Sequence, residues 1–274
     1  MSHSPASIST IPGTNYPVRF TVRQAGSKCL QIVDHNSSEP VRHISYHKAG
    51  WRNKHQRITL YSGPNPSEES HPLVSVLRDL SLEAKLQSRS SHHKIQLHNP
   101  PSDDSSGENG NIRTMINMTY SRSGWIFSEL TYRFFLPSPA NADRLDTCTY
   151  EWRRPTHQLT EIHALRKASL QILKTGDSRP TESSLLPPQG YILVRTNVNH
   201  KSLENENPRL GWTSKGEEIV ASWSRPSWGV SKTKFHFQFW GSAAEGQMNA
   251  EFFDVAIATA AAIWFDEYRN GKKN

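Results

Sequence analysis

Apolar and polar residues alternate with a period of two through much of the chain. Val18, Phe20 and Val22 fall on one side of an extended segment, with Arg19, Thr21 and Arg23 on the other. That is the pattern of a half-buried strand. Leu30 with Ile32 and Ile58 with Leu60 repeat it. Further strands are predicted at 73–77, 82–86, 94–98, 113–120, 124–135, 147–153, 191–196, 218–224 and 234–240. The last has the cleanest alternation: Phe235, Phe237 and Phe239 face one way, His236, Gln238 and Trp240 the other. Polar stretches at 99–111, 136–146, 175–189 and 199–208 separate the strands as loop insertions. Strand signals continue on both sides of each, so one domain over 17–274 is expected. Residues 1–16 are rich in Ser, Thr and Pro, lack the apolar run of a secretory signal, and read as a disordered lead. Residues 160–173 fit a helix or a strand equally.

One segment departs from the strand pattern. Residues 248–269 contain neither Pro nor Gly, carry Glu251 and Asp254 near their start, and are followed by Gly271. Between Val255 and Phe265 only Thr259 is polar, so every side of the helix is apolar and a buried helix is predicted. Ala256, Ala258, Ala260, Ala261 and Ala262 make it thin enough for the lumen of a closed sheet. A membrane span needs about 20 apolar residues. This run is shorter and is bracketed by Glu251, Asp254, Asp266 and Glu267, so a transmembrane segment is not expected.

Only 35% of the 274 residues are hydrophobic, which excludes a polytopic membrane protein, while 8 Trp, 8 Tyr and 10 Phe argue against wholesale disorder. The net charge of +7 makes anionic partners plausible. Two distant cysteines, Cys29 and Cys148, form no zinc-binding or CxxC spacing and read as reduced thiols.

The last third of the chain carries a string of short motifs in fixed order. Tyr150-Glu151-Trp152-Arg153-Arg154-Pro155 comes first, then Gly190-Tyr191-Ile192-Leu193-Val194-Arg195 and Ala221-Ser222-Trp223. The Phe235, Phe237, Phe239 row then runs into Gly241-Ser242, and the Ala-rich helix ends in Ile263-Trp264-Phe265-Asp266-Glu267. This order resembles the fungal tubby C-terminal-like domain proteins, a group similar to the plant LURP-one-related proteins and the phospholipid scramblases. The resemblance spans residues 17–274. It implies a mainly β fold, a closed antiparallel barrel of about twelve strands around a central hydrophobic C-terminal helix. The strands and the helix read from the residues agree with it. Tubby proteins bind phosphoinositides through basic residues and scramblases carry a calcium site. No motif for either function is matched here residue by residue, so the resemblance implies a scaffold rather than an activity.

Signals for chemistry are sparse. There is no Gly-x-Ser-x-Gly elbow, and Gln247 stands where a phosphate-binding loop after Gly241 and Gly246 would need Lys. His43 and His47 lie on an extended segment, about 13 Å apart and too far to share a metal. His92 and His93 point to opposite faces, so His92, Lys94, Gln96 and His98 read as a solvent face. No cofactor and no metal are expected, and the histidines read as surface groups.

The most basic stretch holds Trp51, Arg52, Lys54 and Arg57; Arg153 and Arg154 form a second basic pair. These six are the candidate contacts for an anionic ligand, with Trp51 at a membrane interface. The phenylalanine row reads as barrel interior rather than a base-stacking platform, so nucleic acid is not the expected partner. The expected function is a non-enzymatic binding or adaptor module recognising anionic membrane phospholipid, or a protein partner, through a basic surface. The alternative is an accessory enzyme or small-molecule carrier of a fungal biosynthetic pathway, with its site at the barrel rim. The expected location is cytoplasmic, with peripheral membrane attachment.

Overall fold

Twelve antiparallel strands close into a barrel in the computed structural model. It describes residues 10–35, 37–47, 55–66, 70–79, 92–99, 112–123, 129–137, 147–154, 190–196, 212–213, 216–225 and 233–271. The strands are β1 (Arg19–Gln24), β2 (Cys29–Asp34), β3 (Pro40–His47), β4 (His55–Tyr61), β5 (Pro72–Asp79) and β6 (His92–His98). They continue as β7 (Ile112–Ser123), β8 (Glu129–Pro137), β9 (Thr147–Arg153), β10 (Gly190–Arg195), β11 (Glu218–Ser224) and β12 (Thr233–Phe239). Each pairs with its sequence neighbour, and β1 closes on β12. A one-turn helix α1 (Gly241–Ala244) leads to the long helix α2 (Ala250–Gly271).

The alternation predicts the inner wall well. Phe20, Val22, Leu30, Ile32, Ile44, Ile58, Leu60, Val74, Val76, Ile95 and Leu97 are all buried in one core with the helix. Phe235, Phe237 and Phe239 line the interior as expected, and Phe237 stacks on Phe20 across the closing seam at 4.8 Å. β10 and β11 differ: Ile192, Val194, Ile219 and Trp240 form a second buried cluster. The near-continuous run Tyr191–Val194 therefore reflects burial on both faces of the sheet rather than on one.

The helix starts two residues later than expected. Asn249 caps it, its Oδ1 accepting the Phe252 backbone N–H at 2.9 Å. Every residue from Val255 to Phe265 is buried. The ends are thick with Phe252, Phe253, Trp264 and Phe265, while the middle is almost all Ala. Large wall residues fill the space around that narrow waist. Trp152 is fully buried and its indole N–H donates to Thr259 Oγ1 at 2.9 Å. The Thr259 hydroxyl in turn donates to the Val255 carbonyl at 2.7 Å, so the one polar residue of the waist is satisfied in both roles.

Two expectations about loops need correction. The loop expected at 136–146 begins later, because Leu136 and Pro137 still pair with Cys148 and Thr147. Leu136 is drawn in by an inward position in the core. The lead expected to be disordered through residue 16 is packed from Thr10 onward. Ile11 and Tyr16 are both buried, Thr10 bridges to Pro17, and the Ile11 backbone N–H donates to the Tyr16 carbonyl at 2.8 Å. The segment lies against Gly246 so closely that a Cβ there would sit 2.6 Å from the Pro12 carbonyl oxygen. The strand expected at 82–86, the ambiguous segment 160–173 and the loops at 175–189 and 199–208 lie outside the described residues.

Two substitutions separate the roles of the waist residues. Ala260→Asp puts a carboxyl group at a fully buried position of the waist, costs on the order of several kcal/mol, and leaves no cooperative unfolding transition in urea. Thr259→Val keeps the fold, orphans the Trp152 N–H and lowers the urea-derived stability by about 1–3 kcal/mol.

Candidate functional site

A helix buried on all sides has to place its terminal charges at the two mouths of the barrel. At the C-terminal end, Asp266 is almost fully buried. It accepts from Arg78 Nη1 at 2.6 Å, His93 Nε2 at 3.1 Å and Gln56 Nε2 at 3.2 Å. Burial pushes this carboxyl up, but the His93 contact and the Arg78 charge outweigh it and hold Asp266 below its ordinary value. Glu267 takes Arg154 Nη2 at 2.7 Å, Tyr191 Oη at 2.8 Å and Arg225 Nη2 at 3.1 Å. The cations also face the negative end of the helix dipole.

At the N-terminal end, Glu251 pairs with Arg113, and Asp254 accepts the Tyr16 hydroxyl. The Arg42 guanidinium lies 5.0 Å from the Tyr16 ring centre. Among the described residues Asp254 forms no ion pair, and burial, opposed by the Tyr16 hydrogen bond and the Arg42 charge, pushes its carboxyl up to about 6.

Three of the six basic-site candidates, Arg57, Arg153 and Arg154, are among the described residues. Trp51, Arg52 and Lys54 lie outside the described residues. Arg57 sits exposed on β4 and donates to Ser75 Oγ at 3.2 Å. Arg153 donates to Glu217 at 2.6 Å, and Arg154 is held by Glu267 with its guanidinium 5.7 Å from the Tyr191 ring centre. The guanidinium groups of both residues are engaged by carboxylates of the chain itself.

A different basic cluster lies on the outer face where the barrel closes. Arg19, Thr21 and Arg23 point outward from β1, because Phe20 and Val22 point in. Thr21 pairs with His236 of β12, and its Oγ1 is 3.4 Å from His236 Nδ1. Arg19 pairs with Gln238 and donates to its Oε1 at 2.9 Å through Nη2 and 3.2 Å through Nε. His35 follows β2, its backbone N–H on the Arg19 carbonyl at 3.4 Å.

Four cationic or protonatable groups thus converge: Arg19, Arg23, His35 and His236. Both imidazoles reach solvent, yet crowding desolvates them. That desolvation lowers His236, and His35, Arg19 and Arg23 lower it further. His35 is lowered by burial first and then by Arg19, with Asp34 partly opposing. Among the described residues Asp34 is the carboxylate that acts on His35. Arg23 is exposed and has no ion pair among the described residues.

Sequence reasoning missed this cluster because its members come from the first two strands and the last. The signal available was the outward set Arg19, Arg23 and His236 on strands that barrel closure makes neighbours.

The histidines are not uniformly surface groups. His93 and His43 are both buried, the first on Asp266 and the second stacked on Tyr61 at 4.4 Å, with its Nδ1 2.9 Å from the Gly63 carbonyl. Cys29 and Cys148 are unbridged thiols. Among the described residues no three His, Cys, Asp or Glu side chains gather as a metal site, and no helix is long and apolar enough to cross a membrane. Comparison with models of known protein families, with curated proteins and with solved structures finds no match to this chain.

The buried Asp254 makes stability depend on pH with a definite sign. Its folded value, about 6, lies above the ordinary 3.8. The folded protein therefore holds the proton more tightly, and this contribution is present at acid pH and lost as pH rises through 6. Urea titrations between these limits should show wild-type stability falling by about 2–3 kcal/mol from this group. Asp254→Asn should remove that part of the slope.

Proposed function

We propose that this chain is a non-enzymatic binding or adaptor module of the tubby-like barrel group, and that it recognises anionic membrane phospholipid through its basic outer face. The observation that carries the reading is the convergence of Arg19, Arg23, His35 and His236 where β1, β2 and β12 meet. Their mutual repulsion, offset in part by Asp34 beside His35, is a cost that a bound phosphate would relieve. The closed barrel also favours binding over catalysis. The charged groups at the mouth around the C-terminal end of α2 converge on its carboxylates, where they serve to hold the helix. Membrane contact at a cationic face of this kind gains about 1 kcal/mol for each Arg near an anionic surface.

Vesicle flotation tests the reading. The protein should float with vesicles of phosphatidylcholine containing phosphatidylglycerol and stay down with phosphatidylcholine alone. Arg23→Glu, at an exposed position, should weaken flotation roughly tenfold or more, since it removes one favourable charge and adds one unfavourable. Arg153→Gln, whose guanidinium is engaged by Glu217, should leave it unchanged. Equal flotation on neutral and anionic vesicles, or indifference to Arg23→Glu, would refute the proposal.

A further inference from the structure

We infer that this face binds its anion together with protons: His35 and His236 become charged as the phosphate arrives, so membrane attachment strengthens as pH falls. The inference rests on the anionic-lipid reading and adds how that site is regulated. Its geometric basis is the placement of two imidazoles among two guanidinium groups in one outward patch. Registers Thr21↔His236 and Arg19↔Gln238 set His236 beside the β1 row, and the His35 backbone is bonded to that of Arg19.

Among the described residues, the charged and titratable neighbours come from three strands. From β1 come Arg19 and Arg23; from β2 and its end come Asp34 and His35; from β12 come Lys234 and His236. On the remaining side, β11 contributes Ser224, the register partner of His236. Arg19, Arg23 and the other imidazole oppose a proton on His236, and among the described residues Asp34 favours one on His35. In the free protein both groups therefore titrate below their ordinary value of 6.5 and are neutral near pH 7.

A phosphate placed between the guanidinium groups reverses that balance. It offsets their repulsion and accepts a hydrogen bond from each protonated ring. The bound state then holds more protons than the free state. By linkage, affinity must rise as pH falls across the interval between the two sets of values. Each proton taken up contributes up to about tenfold in affinity per pH unit within that interval. No chemistry beyond proton uptake from solvent is required.

Phosphatidylglycerol is the suitable probe, because its phosphodiester keeps one charge across this range and only the protein titrates. Flotation on phosphatidylglycerol–phosphatidylcholine vesicles should strengthen at least about tenfold between roughly pH 7.5 and 5.5. The double variant His35→Gln, His236→Gln should lose most of the acid enhancement, the ratio of its binding at about pH 5.5 to that at about pH 7.5 falling towards one whatever its affinity at neutral pH. His→Gln replacement at these solvent-reaching positions retains a polar side chain, and circular dichroism at both pH values checks that each protein stays folded. Nuclear magnetic resonance titration of the two imidazoles gives a second readout: both values should rise when vesicles are present.

Anionic-vesicle binding that ignores pH, or an equal acid enhancement in the double variant, would overturn proton coupling while leaving lipid recognition standing. Absence of flotation on anionic vesicles at every pH would remove the lipid reading and the coupling with it.

Discussion

The structure depends on one constraint: a helix buried on every side carries carboxylates at both ends. Burial strips these carboxylates of part of their hydration, most completely at Asp266, and the wall supplies partners instead. Arg78, His93 and Gln56 reach Asp266, while Arg154, Arg225 and Tyr191 reach Glu267. These groups come from β4, β5, β6, β10 and the segments just after β9 and β11. One helix end thus ties together strands far apart in the chain, and the barrel mouths become ion-pair networks. The positive charge counted along the sequence is divided accordingly. Part of it neutralises the helix, and only the remainder is available to a partner.

The thin waist imposes a second, steric demand. Ala side chains leave a wide annulus between helix and wall, and a protein interior tolerates few voids. The wall answers with aromatics: Trp152, Trp223, Tyr150, Phe235 and Phe237 are all fully buried around α2. This explains how a chain with only 35% hydrophobic residues sustains a large core. A few big rings, placed at alternate strand positions, do what many aliphatic residues would otherwise do. At the ends the division of volume reverses, with Phe252, Phe253, Trp264 and Phe265 on the helix. A register slip of α2 would drive those rings into the space that the tryptophans fill.

The parts of this architecture legible in the sequence are those with local periodicity. The row Phe235, Phe237, Phe239 and the apolar run Val255–Phe265 each announce their burial within a few residues. The rim pairs do not, because Arg154 and Glu267, or Arg78 and Asp266, become neighbours only once the barrel has closed. For the same reason Arg153 and Arg154 read as a ligand site, since adjacent cations look uncommitted until their distant carboxylates are known. Ile11 and Tyr16 escaped notice for a different reason. They are isolated apolar residues in a Ser- and Pro-rich stretch, without the neighbours that periodicity needs. What ties Tyr16 to the helix is the hydrogen bond its hydroxyl gives Asp254, a residue far away in the chain.

Closure of the barrel also explains where unspent charge can accumulate. The helix carboxylates neutralise cations only at the two mouths, and the side of the wall lies beyond their reach. On that side the pairing of β1 with β12 brings together two strands that each present basic residues outward. A sheet could relieve this with a carboxylate at any of several facing positions, as Glu151 does for Arg133 between β8 and β9. Across β1 and β12 the facing groups are instead Thr21, Thr233 and Gln238, which donate and accept hydrogen bonds without cancelling charge. The fold therefore holds Arg19, Arg23, His35 and His236 together against repulsion that its own side chains only partly offset. A charge left uncompensated at a seam fixed by barrel closure is what an anion arriving from outside would complete.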